Sequence, residues 1–76
     1  MIIYVKTVGT LKSLEEGTEL TSLDVPDQTI VSQVMERLNL QDWEVGFILI
    51  NGARATKDSI LKDQDQLTLI APLVGG

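Results

Sequence analysis

Five stretches are predicted to be β-strands. The first is rich in β-branched and aromatic residues, the second shows partial apolar–polar alternation, and the fourth is the return strand of a hairpin. The five stretches are residues 2–5, 19–25, 45–50, 53–56 and 67–70. The first either continues to Lys12 or breaks around Gly9, and the second is typical of an edge strand. Asn51-Gly52 predicts a tight hairpin, because both central residues of that turn take positive φ. Pro72 should end the last strand, because proline has no amide hydrogen to donate to a ladder.

One stretch has the period of an amphipathic helix. Its apolar positions fall on a single helical stripe: Ile30, Val31, Val34, Met35 and Leu38. Thr29 is the predicted N-cap, and Asn39 the predicted left-handed residue at the C-terminal end. A single helical turn is also predicted over residues 58–61, followed by a polar turn over residues 62–66. The predicted order is therefore β-β-α-β-β-β.

This order predicts an α+β domain, in which one helix packs on one face of a mixed four- to five-stranded sheet. The other face should then be polar, but residues 47–50 are apolar at every position. In the last strand, Leu67 and Leu69 share one face while Ile70 points to the other. Either loops cover this second apolar face, or a partner protein binds it.

Composition narrows the possible chemistry of the 76-residue chain. It contains no cysteine and no histidine, so it lacks disulfides, thiolate ligands and the usual general base. The net charge of −5 argues against nucleic acid as a partner and favours a basic protein partner or simple solubility. No signal peptide or membrane-spanning run of about 20 apolar residues is recognisable, so we expect a cytoplasmic protein without a membrane partner.

Four further residues have both a functional and a structural interpretation. Asp63 and Asp65 are spaced like the first two ligands of a calcium loop, but the glycine and glutamate of that loop do not follow in register. We expect both to be solvated turn residues, and no metal site. Trp43 is expected to cap the edge of the core, with a surface anchor for a partner as the alternative. Arg54 is expected to be either simply exposed or paired with a partner carboxylate.

The predicted order, ending in Gly75-Gly76, resembles that of β-grasp, ubiquitin-like proteins. More narrowly, the chain resembles the sulfur carriers: the small subunit of molybdopterin synthase and the thiamine-biosynthesis sulfur carrier. The resemblance covers nearly the whole chain and is carried by four segments: Gly9-Thr10-Leu11, Ile50-Asn51-Gly52, residues 58–61 and residues 63–76. Two departures are Gln64, where the family usually has a turn glycine, and Ala71, where it often has a proline. The resemblance implies a β-grasp domain over residues 1–72 and a flexible Gly-Gly tail over residues 73–76.

It also implies a chemistry for the tail. A ubiquitin-activating-like adenylyltransferase would use ATP to adenylate the Gly76 carboxylate, and a sulfur donor would convert it to a thiocarboxylate. The sulfur would pass to an acceptor synthase, either the molybdopterin synthase large subunit or thiazole synthase. The chain itself would be a carrier without bound cofactor, and its partners would be the enzymes. The first two predicted strands should form a hairpin with a long loop. Its length slightly favours the molybdopterin branch.

The tail residues then have distinct expected roles. Gly75 would give clearance in a narrow channel, Leu73 and Val74 would anchor the tail at its mouth, and Pro72 would direct it away from the sheet. A partner-binding face is predicted on the outward side of residues 45–50 and 67–70, continuing along residues 72–76, with Leu49 and Ile70 at its apolar centre. Three alternatives remain open: a frayed end without function, a ubiquitin-like modifier conjugated through Gly76, and a plain interaction module.

Overall fold

Strands and helix follow one another in the predicted order in a computed structural model that describes residues 1–8 and 20–72. The elements are β1 (Ile2–Val8), β2 (Thr21–Asp24), α1 (Val31–Arg37), a short 3-10 helix (Asp42–Glu44), β3 (Phe47–Ile50), β4 (Ala53–Ala55) and β5 (Gln66–Ile70). The two predicted alternatives for the first strand, continuation to Lys12 or a break around Gly9, concern residues outside the described ranges.

Within the described ranges the strands form one five-stranded sheet in the order β2-β1-β5-β3-β4. β1 and β5 run parallel at its centre, and the other neighbouring pairs are antiparallel. The mixed sheet and the edge position of β2 confirm the prediction. Placing β5 between β1 and β3 brings the last strand, and the chain that follows it, to the middle of the sheet.

The core lies between α1 and one face of this sheet. Val31, Val34 and Met35 of α1 are buried, as the helical stripe predicted. They belong to one cluster with buried residues from three strands: Ile3, Val5, Ile48, Leu67 and Leu69. Since full burial of such a side chain contributes roughly 1.5–3 kcal/mol, this cluster is the main source of stability for a chain of this length.

Two predictions about helical structure were wrong, and both failures have the same cause. The N-cap of α1 is Ile30, not Thr29, whose hydroxyl instead donates to the carbonyl oxygen of Pro26 (2.7 Å). Residues 58–61 form no helical turn, because Ile60 makes an antiparallel bridge to Ile30 and the Leu61 amide donates to the Thr29 carbonyl oxygen (2.8 Å). This long-range pairing keeps both segments extended and overrides the local helical preference.

The turns follow their sequence signals. Asn39, Asn51 and Gly52 all have positive φ, as predicted. Gln64 also has a positive φ, at 71°. It lies in the turn where the family that the sequence resembles usually has a glycine. A left-handed conformation costs a residue with a β-carbon roughly 1–2 kcal/mol, so the fold retains the glycine-type turn without its glycine.

We therefore expect Gln64→Gly to stabilise the protein by about 0.5–1 kcal/mol, after allowance for the extra backbone entropy of glycine. The side chain of Gln64 makes only long, exposed hydrogen bonds, 3.3 Å to Asp63 and 3.4 Å to Tyr4, so its removal costs little. Urea unfolding followed by circular dichroism measures the change. Gln66→Gly is the matched control: within β5, glycine should destabilise, and a gain at both positions would contradict the argument.

Candidate partner-binding face and C-terminal exit

The sheet face opposite α1, which we call the open face, carries an apolar patch at one end. Val8 of β1 pairs with Ile70 of β5, which pairs in turn with Phe47 of β3. Leu49 follows Phe47 on the same face, because side chains alternate along a strand. Val8 and Phe47 are exposed, while Leu49 and Ile70 are half-buried. These four side chains are the apolar patch.

The structure thus brings Leu49 and Ile70, the two predicted face residues, to neighbouring positions on the open face. Phe47 lies within the strand predicted to form this face but was not named, and Val8 was missed. Phe47 had a usable signal, since it lies two residues before Leu49 in a strand. Val8 had none, because its place beside Ile70 depends on the parallel pairing of two strands far apart in the sequence.

Positive side chains border the patch on both sides. The next row of the open face runs from Lys6 through Thr68 and Leu49 to Arg54. The guanidinium carbon of Arg54 lies 4.9 Å from the centre of the Phe47 ring, a cation–π contact. In a chain with a net charge of −5, these two rows contain no carboxylate. This end of the open face is therefore an apolar patch with a positive border, which suits a partner surface with acidic residues around an apolar centre.

The chain leaves the sheet beside this patch. The Gly46 amide donates to the carbonyl oxygen of Ile70 (2.7 Å), and the Ala71 amide donates to that of Val8 (2.9 Å). Pro72 follows directly and packs on Gly46, where an added β-carbon would lie 2.7 Å from the Pro72 α-carbon. β5 ends before Pro72, as predicted. The predicted tail residues Leu73, Val74, Gly75 and Gly76 lie outside the described residues.

Asp65 holds the opposite end of β5. It was predicted to be a solvated turn residue, but the structure shows that it is buried. Its carboxylate accepts hydrogen bonds from the Asn51 side-chain amide and the Lys62 backbone amide, both at 2.8 Å. Asn51 in turn accepts one from the Gln66 amide at 2.9 Å. Asp65 and Asn51 therefore tie the β3–β4 hairpin to the start of β5. The spacing of these residues along the sequence does not reveal this connection.

Asp63, in the same turn, is exposed and accepts a hydrogen bond from the Ile2 amide at 2.7 Å. That bond, with a smaller effect from Gln64, lowers the pKa of its carboxyl group. The two aspartates thus have separate structural roles. Across residues 1–8 and 20–72, no three acidic side chains are grouped so that they could hold a metal ion.

Trp43 does not cap the core. It lies in the 3-10 helix with 62% of its surface exposed, while the flanking Leu40 and Val45 are buried. The tight turn places the large ring outside and the two smaller residues inside. None of the helices in the described part of the chain is long and apolar enough to cross a membrane.

Comparison with known proteins agrees with this geometry. The sequence model of the ThiS family matches residues 5–76. The structure is similar to that of SAMP1 from Haloferax volcanii, with a TM-score of 0.74 and 21% sequence identity over all of both chains. It is also similar to a putative molybdopterin converting factor subunit 1 from Pyrococcus furiosus, with a TM-score of 0.73 and 20% identity over 95% of this chain and 98% of that one. A chain in a complex of subunits 1 and 2 of the molybdopterin-converting factor from Helicobacter pylori has a TM-score of 0.64 and 22% identity over all of both chains. They confirm the β-grasp fold. No curated protein sequence matches the chain significantly.

Proposed function

Because the chain belongs to the ThiS family, we propose that it is a sulfur carrier whose terminal Gly76 becomes a thiocarboxylate in cofactor biosynthesis. The observation that carries this proposal is the reach of the family match, which runs to the second of the two last glycines. A match that ended with β5 would support only a shared fold. The proposal requires a free carboxylate on Gly76, which the intact mass of the natural protein checks directly.

The chemistry needs little from the chain itself. A carboxylate oxygen of Gly76 attacks the α-phosphorus of ATP, and pyrophosphate leaves to give an acyl-adenylate. A sulfide-level sulfur donor then attacks the carbonyl carbon and displaces AMP, so that one carboxylate oxygen is replaced by sulfur. Water restores the carboxylate after the sulfur has been donated. The chain has no cysteine or histidine for catalysis, which fits a reagent whose reactions are catalysed by its partners.

The open face supports the need for such partners. The apolar patch lies next to Pro72, so a protein bound there would also lie next to the start of the tail. The positive border from Lys6 and Arg54 fits an adenylyltransferase or acceptor synthase with carboxylates around its docking site. We slightly favour the molybdopterin synthase large subunit as acceptor over thiazole synthase. The two-subunit complex from Helicobacter pylori supports that preference.

Intact-mass spectrometry tests the proposal. The purified chain is incubated with ATP, a sulfur source and the activating enzyme of the same organism, and we expect a mass increase equal to replacing one oxygen by sulfur. Fragmentation should map the change to Gly76, and a chain lacking Gly76 should show none. An unchanged mass, with an activating enzyme shown to be active on another carrier, would rule the sulfur-carrier function out.

A modifier function is the second candidate, supported by the similarity in fold to SAMP1, a small archaeal modifier protein. The same adenylate would then react with a lysine amine of another protein. Affinity-tagged chain recovered from cells in covalent complexes of higher mass, with a Gly76 isopeptide bond found by mass spectrometry, would favour this candidate. A plain interaction module would instead keep its cellular role after deletion of Gly75-Gly76.

A further inference from the structure

Gly46 occupies a position where the fold has no room for a side chain. An added β-carbon would lie 2.7 Å from the α-carbon, 3.0 Å from the β-carbon and 3.1 Å from the nitrogen of Pro72. Two of these three atoms belong to the backbone, so a rotamer change cannot relieve the contact. The Gly46 backbone and residue 72 must separate if position 46 carries any side chain.

The same contact lies between two short hydrogen bonds. The Gly46 amide donates to Ile70 at 2.7 Å and the Ala71 amide donates to Val8 at 2.9 Å, so residues 70 and 71 are fixed from both sides of β5. Pro72 is the next residue, and its ring limits φ to about −65°. Hydrogen bonds, close packing and a restricted φ therefore all fix the backbone of residues 70–72.

We propose that Gly46 is a positioning residue, which fixes the point and direction in which the C-terminal tail leaves the sheet. The inference rests on the proposed function, in which the Gly76 carboxylate must reach the reacting atoms of a partner while the open face is docked. Because Pro72 follows Ile70 and Ala71 directly, its displacement would misplace the tail while the four apolar side chains of the patch remain available for docking. A misplacement of about 1 Å can slow an otherwise intact reaction by up to about 100-fold.

The test compares Gly46→Ala with Gly52→Ala. Gly52 has a φ of 85° and no atom within 4 Å of an added β-carbon, so alanine there strains the fold without touching Pro72. ATP–pyrophosphate exchange with the activating enzyme should show kcat lowered roughly 10- to 100-fold for Gly46→Ala, with little change in the KM for the carrier. Gly52→Ala should keep its kcat. Equal losses in the two variants would reduce Gly46 to a residue needed only for stability.

Pro72→Gly tests the contact from the other side. It removes the β-carbon and the fixed φ, and should also lower kcat with little effect on KM. In Gly46→Ala/Pro72→Gly the tail exit is already displaced, so the double variant should be no slower than the slower single variant. Effects that multiply would mean that the two residues act independently and would overturn the proposal.

An NMR measurement separates this inference from the proposed function. In Gly46→Ala the amide resonances of Val8, Ile70 and Ala71 should shift, whereas Gly52→Ala should leave those three resonances in place and affect the β3–β4 hairpin and the turn before β5. Unshifted resonances at residues 70 and 71 would overturn the inference even if the carrier is active. Absence of any adenylation in the wild-type chain would count against the proposed function, and the resonances would still decide whether Gly46 positions Pro72.

Discussion

Replacing Ile70 by lysine should weaken binding to the activating enzyme by about 30- to 150-fold while leaving the domain folded. Ile70 is the central residue of the apolar patch, paired with Val8 on one side and Phe47 on the other. Burying an ammonium group there would cost about 2–3 kcal/mol, since it must lose water without a partner and lies near Lys6 and Arg54. In the free protein Ile70 is only half-buried, so a lysine side chain can extend into solvent.

Ile60→Lys is the matched control, because Ile60 is 59% exposed and is not part of the open face. Isothermal titration calorimetry should find its affinity close to that of the wild type. Leu69→Lys supplies the opposite reference: Leu69 is fully buried against α1, and its replacement should unfold the domain. If Ile70→Lys also unfolds the chain, Ile70 belongs to the core; if it binds normally, the partner does not use this face.

The order of elements was predictable from the sequence because each element depends on its own local pattern. The stripe of α1 and the positive-φ turn at Asn51-Gly52 are local properties of single segments. The two errors about helical structure fell where distant segments pair. The bridge between Ile30 and Ile60 kept both segments extended, and no window around Thr29 or Ile60 contains that information.

The candidate site divides in the same way. Ile70 was predicted to face away from the core because side chains alternate along a strand, so that Leu67 and Leu69 share one face and Ile70 lies on the other. That alternation is a local signal. Gly46 carries no such signal, since its requirement for a bare α-carbon comes from Pro72, which lies 26 residues later in the chain. The role of a residue that depends on packing between distant segments therefore could not be predicted from the sequence.

Asp65→Ala should lower the free energy of unfolding by about 2–4 kcal/mol. The change removes both acceptor oxygens, so the Asn51 side-chain amide and the Lys62 amide lose their charged partner at a partly buried site. A hydrogen bond to a charged group contributes about 1.5–3 kcal/mol, and the partial exposure of both donors puts each loss at the lower end of that range. A chain of this length has a total stability of roughly 4–11 kcal/mol, so the variant should lose a large part of it.

Urea unfolding followed by circular dichroism measures this loss, with Asp58→Ala as the control. Asp58 is exposed in a nearby turn, and its replacement should change stability by less than about 0.5 kcal/mol. Asp65→Asn keeps one acceptor oxygen and should fall between the wild type and Asp65→Ala. The Asp65 carbonyl oxygen also accepts a hydrogen bond from the Tyr4 amide at 2.9 Å, so a weakened turn should loosen the start of β5 against β1. An Asp65→Ala protein as stable as Asp58→Ala would show that the Asp65–Asn51 pair does not hold β5 in place.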